Sequence, residues 1–114
     1  MTGRPTRPSV MRALIVDDEA PARRRLTRLL ATIEDLEVVG EAESGDEAVT
    51  RIAELEPDVV FLDIQMPGLN GVGVVKAVGV DEMPLVIFVT AFDEHAVAAF
   101  EVRALDYLLK PVVP

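Results

Sequence analysis

Cysteine is absent from the 114 residues, which excludes disulfide staples and thiolate metal sites. Tryptophan is absent too, and tyrosine and histidine occur once each. The single histidine, His95, falls in the first turn of an expected helix and reads as a solvated residue rather than a phosphate carrier. Positive charge is in the minority: eleven Lys and Arg face twenty Asp and Glu, for a net charge of −9 and a pI near 4.5. That balance argues against nucleic acid or an anionic membrane as the main partner of this domain. No apolar run is long enough to span a bilayer, and the N-terminus lacks a secretory hydrophobic segment, so a cytoplasmic protein is expected. Half the residues are hydrophobic, which excludes general disorder. The length suits one domain with one core, burying roughly two-thirds of the unfolded chain's surface.

What the chain does have is short apolar runs alternating with helical patterns. Residues 1–10, with Arg4, Pro5, Arg7 and Pro8 and almost nothing apolar, read as a flexible leader before a domain at 11–114. Ala13, Leu14, Ile15 and Val16 form a first strand. A helix follows, with Pro21 in its opening turn, where a missing N–H is harmless, and a core stripe of Leu26, Leu29, Leu30 and Ile33. Arg23, Arg24, Arg25 and Arg28 are expected on its solvated face. A second strand begins at Val38 and Val39. Ser44, with Glu47 three residues on, makes a capping box for a helix whose buried face carries Ala48, Val49, Ile52 and Leu55 and which ends at Pro57. Val59–Leu62 form a third strand, and residues 72–78 a helix weakened by Gly73 and Gly79. Met66 and Met83 read as loop residues flanking prolines. Residues 85–89 read as a fourth strand ending at Thr90, residues 93–100 as a helix capped by Asp93, and Tyr107, Leu108 and Leu109 as a fifth strand closing on Lys110 and Pro111.

Strands alternating with helices imply parallel pairing with helices on both faces. The expected fold is therefore an α/β doubly wound five-stranded parallel sheet, flavodoxin-like, in the order 2-1-3-4-5. In such sheets, ligands bind at the carboxyl ends of the strands, at the point where strand order reverses. Here that point lies between strands one and three. The first strand ends in Asp17 and Asp18, the third in Asp63, the fourth in Thr90 and the fifth in Lys110. Asp63 by itself reads more readily as a turn residue bonding its own backbone, and its company of other strand-end residues reverses that. Three carboxylates converging in one cleft repel one another unless a cation neutralises them, and Mg2+ suits oxygen donors of this kind. A cation, a lysine, a hydroxyl and a carboxylate make a site for phosphoryl transfer, a chemistry that mostly needs positioning and charge neutralisation; Asp63 is the candidate nucleophile.

Four segments carry a family likeness: LIVDDE at 14–19, VVFLDIQMPGLNG at 59–71, VIFVTAFDEHAVAAFEV at 86–102 and ALDYLLKP at 104–111. With them the chain resembles the response-regulator receiver domain of two-component signalling, and the run TAFDEHAVAAFEVRALDYLLKP resembles receivers of the LytTR class. The resemblance implies a phosphorylation switch that takes its phosphoryl group from a sensor histidine kinase and controls an output domain, usually DNA-binding. By likeness, Asp63 is the phosphoacceptor, and Asp18, Asp17 and the backbone carbonyl of Gln65 hold Mg2+. Lys110 pairs with the phosphoryl group, Thr90 bonds one of its oxygens, and Tyr107 is the switch aromatic. The Lys110–Pro111 bond is a candidate cis peptide.

Receivers of this family usually have a fifth helix after the Lys–Pro turn, whereas this sequence stops at Pro114. The expectation is a receiver shortened at its C-terminus, without an output domain, whose uncovered apolar surface a second copy could cover as a homodimer. Three other readings compete. A flavin-binding relative of the fold would find Asp17, Asp18 and Glu19 repelling its phosphate. A phosphatase with an aspartate nucleophile would need a second Asp two residues on, where Gln65 stands. A receiver-like protein-binding module that is never phosphorylated would have no use for this full set of site residues.

Overall fold

The computed structural model describes residues 10–90 and 106–109, with the backbone alone at Thr90 and at 106–109. The order is β1 (Met11–Val16), α1 (Ala20–Leu30), β2 (Leu36–Ala42), α2 (Gly45–Leu55), β3 (Val59–Asp63), α3 (Gly71–Val78), β4 (Leu85–Thr90) and β5 (Asp106–Leu109). The strands form one sheet in the order β2-β1-β3-β4-β5, and every pairing is parallel. This is the flavodoxin-like order the alternating pattern predicts. Among the described residues, no helix is long and apolar enough to cross a membrane.

Continuous apolar runs become strands here because both faces of the sheet are covered. Successive side chains point to opposite faces, so each run divides between two cores. Leu14, Val16, Val60, Leu62 and Phe88 pack with Ala48 and Ile52 of α2 and Val74 and Val75 of α3. Ala13, Ile15, Val59, Phe61 and Val89 pack with Leu26 and Leu30 of α1. All five residues of β3 are buried. The edge strand β2 alternates loosely and carries an irregularity: Ala13 pairs with Val38 but Leu14 with Gly40, leaving Val39 as the extra residue of a bulge.

The helix ends follow local chemistry. Pro21 stands in the opening turn of α1, as expected. Ser44 accepts the Glu47 N–H at 3.0 Å, while the Glu47 carboxylate accepts the N–H of Glu43 rather than of Ser44, a capping box shifted by one residue on its return arm. α2 stops because Glu56 adopts the left-handed conformation (φ 49°), and Pro57 follows it. α3 opens on Asn70, whose side chain accepts the Gly73 N–H at 2.8 Å.

Three expectations need correction. Ile33 is exposed rather than part of the α1 stripe, because the helix ends at Leu30 and the chain turns before it gets there. β2 begins at Leu36, two residues earlier than the valine pair suggests. Met66 is buried in the core beneath α2 and α3, with Met83 packed against the same cluster, so neither is simply a loop residue. Residues 1–9 of the expected 1–10 leader, the helix over 93–100 and everything after Leu109 lie outside the described residues.

Candidate functional site

β1 and β3 are neighbours, with Val16 paired to Leu62, so the residues that follow them leave the core side by side. Asp17, Asp18 and Asp63 each bring a carboxylate oxygen to within 4.8 Å of the others. Asp17 is 5% exposed and Asp63 4%, whereas Asp18 faces solvent. The cluster therefore has two buried walls and one open side.

Asp17 and Asp63 share a local geometry. Asp17 Oδ1 accepts the N–H of Glu19 at 2.9 Å, and Asp63 Oδ1 accepts the N–H of Gln65 at 3.1 Å. Each aspartate thus bonds the backbone two residues on, the turn geometry for which Asp is favoured. The turn-residue and reactive-residue readings of Asp63 are not alternatives, since the first fixes where the carboxylate points. The backbone behind them is held as well. The Asp17 N–H donates to the Ala42 carbonyl at 3.1 Å, extending the ladder to β2, and the Gly71 N–H donates to the Ile64 carbonyl at 2.9 Å. Gly71 lies so close that a Cβ there would strike the Asp63 carbonyl and the Ile64 Cα, so a glycine is needed for α3 to start this near the strand end.

This donor set fits a hard divalent cation. All three side-chain donors are oxygens, two of them in a buried, fixed position, and their mutual repulsion at such separations is offset by a bound positive charge. Asp17, Asp18 and Asp63 are the side chains that would hold Mg2+. Gln65 directs its N–H to Asp63 and exposes its side chain. Ile64, Gln65, Met66, Pro67 and Asn70 line a shallow, open pocket of about 460 Å³ beside the cluster.

Thr90 ends β4 one position beyond Val89, the residue paired with Asp63, so its backbone lies at the same carboxyl edge. Tyr107 is in β5, paired with Phe88. Lys110 lies outside the described residues. Two contributors to this edge escape a reading of the sequence. Gly71 passes for a loop residue before α3. Arg23 reads from the sequence as part of the solvated face of α1, yet its side chain is 16% exposed and donates to the Asp17 carbonyl and to Glu41. Glu41 is eighteen positions away, and nothing local in the sequence joins the two residues; only the pairing of Ile15 with Glu41 does so.

The family profile of the response regulator receiver domain matches residues 13–114. An uncharacterized response regulatory protein of Vibrio vulnificus is 50% identical over 105 residues, covering 92% of this chain and 43% of the relative. The transcriptional regulatory protein BtsR of Escherichia coli is 46% identical over 103 residues, covering 90% and 43%. The chain thus spans less than half the length of these relatives. Among solved structures, the response regulator domain of Thermotoga maritima CheB superposes with a TM-score of 0.82 at 37% identity, over 91% of this chain and 81% of that one. The response regulatory domain of mrkE from Klebsiella pneumoniae does so with a TM-score of 0.80 at 38% identity, over 90% and 84%. With its acidic cluster at the switch point of the sheet, this chain belongs to the response regulator receiver domain family.

Proposed function

We propose that this receiver domain is a phosphorylation-activated switch in which Asp63 accepts a phosphoryl group from the phosphohistidine of a sensor histidine kinase. The convergence of Asp17, Asp18 and Asp63 carries the reading. An Asp63 carboxylate oxygen attacks phosphorus, the N–P bond breaks, and the imidazole leaves with the electron pair and takes a proton. The product is an acyl phosphate on a buried, backbone-anchored side chain. Bound Mg2+ supplies positive charge that neutralises the phosphoryl oxygens. Asp17, Asp18, Asp63 and the Gln65 carbonyl would hold the ion, Lys110 would pair with the phosphoryl group, and the Thr90 hydroxyl would donate to one of its oxygens.

New charge at Asp63 then draws Thr90 inward, Tyr107 follows, and the surface around β4 and β5 changes. The domain catalyses its own phosphorylation and slow hydrolysis and has no metabolic substrate. The BtsR relatives are named as transcriptional regulators, which supports a transcriptional output. The likeness of the run from Thr90 to Pro111 to LytTR-class receivers supports that class, whose regulators usually carry a DNA-binding output domain. A cytoplasmic location, pairing of two copies, and nucleic-acid contact made only outside this acidic domain belong to the same reading.

The test is intact mass after incubation with acetyl phosphate and Mg2+. The expected result is one added phosphoryl group, absent in Asp63→Asn and absent when EDTA replaces the metal. Unchanged mass in the wild-type chain would instead favour a protein-binding module that is never phosphorylated.

A further inference from the structure

Arg23 of α1 has its side chain mostly out of solvent, at 16% exposure. Its Nη1 donates to the main-chain carbonyl of Asp17 at 2.8 Å, and its Nε donates to Glu41 Oε1 at 3.0 Å. The Glu41 backbone is held in the sheet, because it pairs in register with Ile15, one residue before the end of β1, while its side chain is 45% exposed. The guanidinium therefore ties the first turn of α1, the loop after β1 and the edge strand β2 together at one point. With this contact, Asp17 is held at three atoms: its N–H by Ala42, its carbonyl by Arg23 and one carboxylate oxygen by the N–H of Glu19.

We infer that Arg23, braced by Glu41, is a positioning residue for the metal site: it sets the backbone that aims the Asp17 and Asp18 carboxylates at the cation. The inference rests on the Mg2+ reading given above. A planar fork can serve Glu41 and the Asp17 carbonyl at once, whereas an ammonium cannot hold both in this geometry. Groups that orient metal ligands through a second contact commonly change affinity by about tenfold or more when removed.

The sign of the effect separates this role from its rivals. A positive charge beside a cation site opposes the cation, so if Arg23 acted by charge alone, Arg23→Gln would bind Mg2+ more tightly. If it served only the fold, the substitution would lower the melting temperature in EDTA and leave the affinity unchanged. If it positions the loop, both Arg23→Gln and Arg23→Lys bind Mg2+ more weakly.

The experiment is a titration with Mg2+ alone, followed by two-dimensional amide NMR well below the melting temperatures of all three proteins. The amides of Glu19 and Gln65 are natural reporters, since they bond the Asp17 and Asp63 carboxylates. The expected result is a dissociation constant raised about tenfold in both variants, with the metal-free Glu19 amide shifted and the Gln65 amide in place. Arg23→Gln binding as tightly as wild type or tighter, or Arg23→Lys matching wild type, would overturn the positioning role while leaving the Mg2+ reading intact. A wild-type chain whose amides ignore Mg2+ would overturn that reading and this inference with it.

Discussion

Leu62 and Asp63 are consecutive residues of one strand and almost equally buried, at 0% and 4% exposure, yet the fold uses them in opposite ways. Leu62 lies in the body of the sheet, where it packs with Val16, Ile52, Val74 and Phe88 in the core beneath α2 and α3. Its burial stabilises the fold and is chemically silent. Asp63 places a carboxylate in nearly the same environment, where Gln65 donates a backbone N–H to it and the neighbouring Asp18 stands open to solvent. The body of the sheet holds the molecule together; its edge gathers three carboxylates whose repulsion a bound cation would relieve. Stability and function are divided by a single peptide bond.

Truncating the body tests one side of that contrast and has the largest expected effect. Leu62→Ala should cost about 2–5 kcal/mol, the loss of a fully buried leucine plus the cavity left behind. If body and edge are separable, the folded variant should still be more stable in Mg2+ than in EDTA, by the same free-energy increment as wild type. Urea titrations in both buffers measure this. A variant that lost its Mg2+ increment while remaining folded would show that core and edge are coupled.

Neutralising the edge should act in the other direction. Asp18 is the exposed member of the cluster, so Asp18→Asn removes a like charge with little loss of packing. In EDTA the variant should be more stable than wild type, by on the order of 1 kcal/mol for charges at this separation near the surface. In saturating Mg2+ the order should reverse. Wild type gains about 2.7 kcal/mol at a hundredfold excess over its dissociation constant, and the variant gains little. Thermal melts across a Mg2+ series would show the two curves crossing; parallel curves would count against a shared cation.

The body of the sheet was more legible in the sequence than its edge. Apolar runs of four to six residues between helical patterns leave little choice but buried parallel strands, and the order β2-β1-β3-β4-β5 follows from the usual connections. Asp17, Asp18 and Asp63 are legible because each ends such a run or lies within two residues of its end. The aids to the edge were not, because they act across elements: Arg23 reaches a β2 residue eighteen positions away, and Gly71 is demanded by the nearness of α3 to the Asp63 carbonyl. Boundaries misled where a pattern outlasted its element. Ile33 keeps the helical period of α1 but lies three residues past its end, and Met66, which follows the strand in an apparent loop, turns back into the core.

The smallest effect is expected where an arginine has partners but no edge to serve. Arg51 pairs with Glu47 at 3.6 Å and Glu54 at 3.8 Å within α2, with its side chain 42% exposed. Taken as charges alone, these two pairs outnumber the one ion pair that Arg23 makes among the described residues. Pairs this long and wet are worth little, because water screens them and the side chains lose freedom in forming them. Glu47, moreover, keeps its other task without Arg51, since its carboxylate bonds the Glu43 N–H at the start of the helix. Arg51→Ala should therefore change stability by no more than about 0.5 kcal/mol in either buffer and leave the Mg2+ increment unchanged. Two arginines with similar partner lists would then differ in effect because one is fastened to the backbone that carries Asp17 and the other to its own helix. If Arg51→Ala altered the metal response as much as changes at Arg23, ion pairing anywhere on the domain would suffice, and the special standing of the carboxyl edge would be lost.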